Sequence, residues 1–275
     1  MEQTIRINPF NLNSLCKNPT ILLCAKRGSG KSVLIKHLIH YFNSVLHYPA
    51  GVLCSASEDS DPYYKYFFPD CYIYSECNDK LFSKIINRQK MLKLKNKKNL
   101  ADGKPLIDSR LLVILDDVIA NAKDWKNSQD YKDIMFNGRH YDITLILAVQ
   151  DVVAVGPDAR NNFDYIFLFA NDIKNEIDKT YKYYAGIFPK VSIFTEVLHA
   201  VTEDYGTLVL IKRDAKSNQL EDKIARFKAN INIKPTMFGC HKFRELHRKR
   251  YDENWEEKEI MGNNNGYKSN IKILK

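Results

Sequence analysis

An α/β fold, with a mainly parallel central sheet flanked by helices, is expected from three features of this 275-residue chain. Short apolar runs recur at 21–24, 51–55, 111–115, 143–149, 165–169 and 207–211. The run Leu111-Leu112-Val113-Ile114-Leu115 shows no polar alternation, the mark of a central parallel strand covered on both faces. Segments of helical period, led by 33–42 and 128–137, lie between the runs.

In chain order, residues 1–19 form a lead-in with an edge strand expected at Thr4-Ile5-Arg6-Ile7. Ile21-Leu22-Leu23-Cys24 is the first core strand, and it runs into Ala25-Lys26-Arg27-Gly28-Ser29-Gly30-Lys31-Ser32. A helix is predicted from Lys31 to Phe42, with Leu34, Leu38 and Phe42 on one face and Ile35 and Ile39 beside them. Strand, glycine-bearing loop, Lys-Ser and helix together wrap the phosphates of a nucleotide. Small residues let backbone N–H groups approach the anion, and the new helix points its positive end at it. Lys31 would reach the β- and γ-phosphates of ATP, and Ser32 would hold Mg²⁺. Ala25 stands where a first glycine is usual, a departure that costs energy only if that position needs φ > 0.

The next strand is expected at Gly51–Ser55, followed by an acid-rich loop, Glu58 to Asp61. Tyr63-Tyr64-Lys65-Tyr66-Phe67-Phe68 holds five aromatics, read as core packing ahead of a stacking platform for bases, and Pro69 ends the segment. Ile85 to Lys98 reads as a basic helix carrying Arg88, Lys90, Lys93, Lys95, Lys97 and Lys98. It either contacts nucleic-acid phosphates or is a solvated face. A mobile loop is expected at Asn99 to Pro105.

The strand 111–115 ends in Asp116-Asp117. Ligands of open α/β sheets bind at the carboxyl ends of strands, so this pair should face the glycine loop from a neighbouring strand. Asp116 would complete the Mg²⁺ shell with Ser32, and Asp117 would orient or deprotonate the attacking water. Many ATPases place glutamate at that position, one methylene longer. After a helix at 128–137, the strand Ile143–Val149 delivers Gln150 to the same edge. An amide both donates and accepts there, which suits a sensor of the γ-phosphate or the lytic water. Arg160, in Arg160-Asn161-Asn162-Phe163-Asp164 before the strand 165–169, and Arg139, in Asn137-Gly138-Arg139-His140, are alternative arginine fingers for a neighbouring subunit. A helix from Asp172 to Tyr184, breaks at Gly186 and Pro189, and a last strand at Thr207–Ile211 complete the sheet. Residues 1–215 are therefore expected to be an ATPase domain. Residues 216–275 would be a polar extension with a short basic helix, His241 to Arg250, an acidic patch, Asp252 to Glu259, and the tail Gly262 to Gly266.

Composition bounds the partners. The 42 Lys and Arg against 33 Asp and Glu leave a net charge of +9, which favours a polyanion. No run of about 18 apolar residues exists, so no membrane-spanning helix is expected, and the start lacks a signal peptide's apolar segment. The six cysteines form no Cys-x-x-Cys pair, so zinc is not expected. Cys24 and Cys54 should be buried thiols, and a reduced intracellular setting is the simplest reading.

The order of these parts resembles the DNA-packaging ATPases of large double-stranded DNA viruses, within the FtsK/HerA-like superfamily of DNA-pumping motors. Lys26 to Ser32, Leu115-Asp116-Asp117, Gly138-Arg139-His140, Val149-Gln150-Asp151 and Arg160 to Asp164 carry the resemblance, over roughly residues 15 to 215. It implies a RecA-like P-loop NTPase core and a homo-oligomeric ring, pentamer or hexamer, around double-stranded DNA. It further implies Mg²⁺-dependent ATP hydrolysis that drives a viral genome into a preformed capsid, with capsid or portal-like proteins as partners. Arg160 or Arg139 would act across the subunit interface. The place of action would be the host cytoplasm or viral factory, or the virion itself. A RecA-like repair or recombination ATPase and a small-molecule P-loop kinase are the alternatives.

Overall fold

The computed structural model describes residues 5–57, 62–119, 125–213, 217–252 and 254. The expected acidic loop at 58–61, most of the patch at 252–259 and the tail at 262–266 lie outside them. Among the described residues the strands are β1 (Asn8–Pro9), β2 (Thr20–Cys24), β3 (Ala50–Ser55), β4 (Ile73–Tyr74), β5 (Leu111–Asp116), β6 (Ile143–Val149), β7 (Tyr165–Leu168), β8 (Gly206–Ile211) and β9 (Ile224–Lys228). They form one sheet in the order β1-β9-β8-β7-β2-β6-β5-β3-β4. From β7 to β4 every pairing is parallel, whereas β8 is antiparallel to both β7 and β9. The expected mainly parallel sheet is therefore present, but its strand order differs from the expectation in one respect. β6 lies between β2 and β5, so the acid pair is two strands from the glycine loop.

Alternate residues of the buried strands face opposite ways, so each strand feeds two cores. On one face Ile21, Leu23, Leu112, Ile114 and Ile146 pack on Leu34, Ile35, Leu38 and Ile39 of α1 (Lys31–His40). On the other face Leu22, Val113, Leu115, Leu145 and Leu147 meet α2 (Asp79–Ala101) and α3 (Gln129–Asn137), with α5 (Lys174–Tyr183) and α6 (Val191–Thr202) further along. Asn78 caps α2 by accepting the Leu81 N–H, and Ser128 caps α3 by accepting that of Tyr131. A single turn, α4 (Pro157–Arg160), precedes β7. Cys24 and Cys54 are buried as expected.

Several expectations are corrected. The edge strand is Asn8–Pro9, paired with β9, rather than the expected segment, of which Thr4 lies outside the described residues; Ile5 and Ile7 lie partly buried against the core instead. The basic helix runs from Asp79 to Ala101, and the chain after it is pinned rather than loose. Asn96 exchanges two 2.8 Å hydrogen bonds with the Ile107 backbone, and the Asn99 amide donates to the Pro105 carbonyl. Helix α6 was not expected, although Phe194, Val197 and Leu198 bury one stripe of it. The sheet also continues past residue 215. β9 pairs with β8, and Phe238 is wholly buried, stacked on Phe68 with ring centroids 4.8 Å apart. A boundary at 215/216 would cut through a packed core. Helix α7 (His241–Arg250) follows, as the expected short basic helix.

Among the described residues no helix is long and apolar enough to cross a membrane.

The Phe238 contact makes the dependence on the C-terminal segment measurable. Phe238→Ala should destabilise the whole protein by about 3–5 kcal/mol, the cost of truncating a buried phenylalanine, read as a lower urea midpoint. An unchanged midpoint would mean that the segment after residue 215 is energetically separate.

Candidate functional site

The end of β6 sets the spacing of the site. Its last two carbonyls each hold a neighbouring chain: Val149 accepts the Ala25 N–H at 3.0 Å, and Ala148 accepts the Asp117 N–H at 3.2 Å. The glycine loop and the acid pair are thus fixed to one strand from opposite sides. Ala25 is buried and is not among the positive-φ residues, so its methyl group costs no backbone strain. Gly28 and Gly30 carry the left-handed turns, with φ of 79° and 95°. The Ser29 hydroxyl donates to the Lys26 carbonyl at 2.7 Å and tightens the loop, and Lys26 pairs with Asp172 at 2.8 Å. Arg27 lies on the exposed side of the loop.

Lys31, only 8% exposed, reaches across the end of β6. Its ammonium lies 2.9 Å from Asp116 Oδ1 and donates a hydrogen bond to Asp117 Oδ2. Asp117 bends the chain through the left-handed region (φ 56°), a conformation that aspartate tolerates better than most residues. Gln150 donates to the same Asp117 oxygen at 2.8 Å. Lys31, Asp116, Asp117 and Gln150, singled out from the sequence, therefore meet at one point.

Asp116 is 3% exposed, and burial pushes its carboxyl above the usual range against the pull of Lys31 and Tyr64. Its Oδ1 approaches Lys31 without hydrogen-bond alignment and has no donor among the described residues. A buried carboxylate oxygen with spare acceptor capacity, near the Ser32 hydroxyl, is hard-ligand chemistry that suits Mg²⁺.

The sequence pattern marks Tyr64 only as core. Its ring is core, but its hydroxyl donates to Asp116 Oδ2 at 2.7 Å and lies close to the Ser32 side chain. It joins the two groups that would hold the metal. Burial and the Asp116 charge push the Tyr64 hydroxyl well above its ordinary range, so it stays a donor at neutral pH. Nothing local in an aromatic run marks one ring as special; the signal is its place opposite Asp116, which only the fold creates.

The two candidate arginines lie elsewhere. Arg139 lies just before β6, at the end of the sheet away from Lys31, whereas Arg160 reaches back to the segment after β6. Arg160 donates to the Val155 carbonyl at 2.9 Å and the Val153 carbonyl at 3.4 Å, and its guanidinium stacks 3.9 Å from the Tyr183 ring. Arg139 is exposed, and its side chain makes no hydrogen bond or ion pair among the described residues.

Comparison with known proteins places this arrangement. The model of a family described as Poxvirus A32 protein matches residues 7–224. An uncharacterized protein of Acanthamoeba polyphaga mimivirus is 35% identical over 243 residues, covering 88% of this chain and 83% of that protein. An uncharacterized protein of Invertebrate iridescent virus 6 is 28% identical over 267 residues, covering 93% of this chain and 98% of its own. Among solved structures, the chain is similar to the DNA-packaging ATPase B204 of Sulfolobus Turreted Icosahedral Virus, with a TM-score of 0.55 at 21% identity over 78% of this chain and 98% of that one. The genome packaging NTPase B204 of Sulfolobus turreted icosahedral virus 2, solved with AMPPCP, gives 0.54 at 19% identity, over 78% of this chain and 100% of that one. These likenesses show a P-loop ATPase fold.

The Tyr64 hydroxyl offers a direct check on the site's wiring. Tyr64→Phe leaves Asp116 without its buried donor and should lower stability by about 1–3 kcal/mol, measured by urea unfolding without nucleotide. A neutral substitution would show that water or Lys31 satisfies Asp116 instead.

Proposed function

The chain belongs to the Poxvirus A32 protein family, and we propose that it is an ATP-hydrolysing motor that moves double-stranded DNA and packages a viral genome into a capsid. One observation carries the reading: the phosphate-loop lysine, Lys31, meets both Asp116 and Asp117 at the carboxyl end of the sheet. The similarity to B204, described as a DNA-packaging ATPase and solved with nucleotide analogues, supports it.

In this mechanism the β- and γ-phosphates of ATP replace the carboxylates as partners of Lys31. The glycine turn and the first N–H groups of α1 face the same anion. Ser32 and Asp116 would hold Mg²⁺, which when bound neutralises charge on the phosphate oxygens. Asp117, released from Lys31, orients the attacking water or takes its proton. Gln150 holds the Asp117 carboxylate in place through its amide and loses a partner when the γ-phosphate leaves. Attack in line gives ADP and phosphate. A ring neighbour would supply the arginine. Arg139 is exposed and its side chain is unengaged among the described residues, whereas Arg160 must first leave two carbonyls and the Tyr183 ring.

The DNA contact is drawn to the β4 edge, where the two basic segments of the sequence converge. Phe243 of α7 stacks on Tyr72, just before β4, with ring centroids 3.9 Å apart. Arg88 of α2 lies near Tyr72 and near Cys240 at the start of α7. Lys90, Lys93, Lys95, Lys97 and Lys98 on α2 are exposed, as are Lys242, Arg248 and Lys249 on α7. Such a surface grips phosphates without reading bases, as a packaging motor needs. A pentameric or hexameric ring around the duplex, docked on capsid or portal-like proteins inside the infected cell, is the assembly this reading calls for.

The reading is tested by phosphate release with and without duplex DNA. Duplex should stimulate it, and Asp117→Asn should still bind ATP while turning over at least ~100-fold more slowly, the usual scale for a lost general base. Unstimulated hydrolysis, or full turnover in Asp117→Asn, would defeat the motor and the base assignment respectively. Reversing Lys90, Lys97 and Lys98 to Glu should weaken duplex binding and flatten its dependence on salt by roughly one unit of slope per lost phosphate contact. An unaltered slope would move the DNA surface elsewhere.

A further inference from the structure

The antiparallel strand β8 brings its beginning to the rim where the parallel strands end. Leu208 pairs with Leu168 at the carboxyl end of β7, so the turn before Gly206 stands beside the phosphate loop. That turn is unusual. Asp204 and Tyr205 are successive non-glycine residues in the left-handed region, with φ of 50° and 60°. Such a conformation persists only where the surroundings enforce it, and two contacts do so here. Lys228 of β9 forms an ion pair with Asp204. Gly206 lies so close under α6 that an added Cβ would fall 2.1 Å from the Val201 carbonyl oxygen.

The outcome of this enforced turn is a tyrosine held over the loop. A methyl group on Gly30 would lie 3.5 Å from Cδ1 of Tyr205. The ring is nevertheless 67% exposed, one of the largest exposed apolar side chains of the described protein. A large ring kept out of the core, on a turn that costs energy to form and against the residue that caps α1, has a position suited to a ligand. Lys31 at the end of the glycine turn fixes where the phosphates would lie, with Ser32 and Asp116 on the metal side. The remainder of a nucleoside triphosphate must extend from that point along the surface.

We propose that Tyr205 is the platform on which the nucleobase of the bound triphosphate stacks, a binding subsite distinct from the phosphate loop. The proposal rests on the nucleotide reading above. A tyrosine face offers a flat π surface and reads no base edges, so it serves adenine and guanine alike. Discrimination between purines, where it exists, lies with other groups.

The test is calorimetric titration of wild type, Tyr205→Ala and Tyr205→Phe with ATP, GTP and inorganic tripolyphosphate in the presence of Mg²⁺, with thermal unfolding of each variant as a check on folding. Tyr205→Ala should weaken ATP and GTP by about ten- to a hundredfold, the range of a lost base–aromatic stack. Its affinity for tripolyphosphate should be unchanged, and Tyr205→Phe should bind all three like wild type. Equal weakening of ATP and tripolyphosphate would overturn the proposal and make Tyr205 a support for the loop. Undiminished ATP binding in Tyr205→Ala would overturn it as well, while leaving the phosphate site intact. Wild-type protein that binds none of the three would instead bring down the nucleotide reading itself.

Discussion

A buried ammonium must have an anion beside it, and the site is organised around that need at Lys31. Removing the charge from water costs several kcal/mol, repaid only by close counter-charges. In the nucleotide-free chain Asp116 and Asp117 provide them. The dependence runs both ways. Two adjacent carboxylates repel each other, and burial already pushes Asp116 towards its neutral form. Without Lys31 one of them would protonate or turn away. A triphosphate that takes over Lys31 leaves two acids facing a polyanion, an arrangement that no protein cation among them can balance alone. On the mechanism proposed above, nucleotide and divalent metal would therefore arrive as a unit, the metal held by Ser32 and Asp116.

The insertion of β6 between β2 and β5 decides which residues can do this. Strands lie about 4.8 Å apart, so the acid pair starts ~10 Å from the phosphate loop. A lysine at the first turn of α1 spans most of that distance, provided nothing bulky rises from the strand it crosses. Ala148 and Val149 end β6 and contribute carbonyls rather than long side chains, and these carbonyls anchor the Ala25 and Asp117 backbones. The first long polar side chain after them, Gln150, points at Asp117. An adjacent-strand arrangement would have left no position for such an amide between loop and acids.

How far the sequence could be read follows from whether each feature is local. The core strands, the phosphate loop and the acid pair announce themselves by apolar runs and by short motifs, and their placement at one rim follows from parallel pairing. Strand order is not local: nothing within 111–117 or 143–150 says which lies beside β2. The two-residue strands β1 and β4 are too short to carry a pattern. β9 was hidden because only its first two residues are buried, and its remaining residues alternate charged and apolar without forming an apolar run. Helix α6 had a readable stripe in Phe194, Val197 and Leu198, but Gly186 and Pro189 just before it suggested an end rather than a new start. Tyr64 shows the limit most plainly, since reading it as core was correct for the ring and silent about the hydroxyl.

That hydroxyl also shows how a chemical step is joined to a surface some distance away. The chain from Tyr64 to Tyr72 begins at Asp116 and ends under α7. Within it the Phe67 carbonyl accepts the Phe238 N–H at 2.9 Å, Phe68 stacks on Phe238, and Tyr72 stacks on Phe243. Close-packed rings transmit a displacement where a solvated loop would absorb it. A metal held by Asp116, as proposed above, would compete with the Tyr64 hydroxyl for that carboxylate, so filling the site would loosen the first link of this chain. On the function proposed above, the aromatic run would be the packed connection between the phosphate site and the basic helix α7.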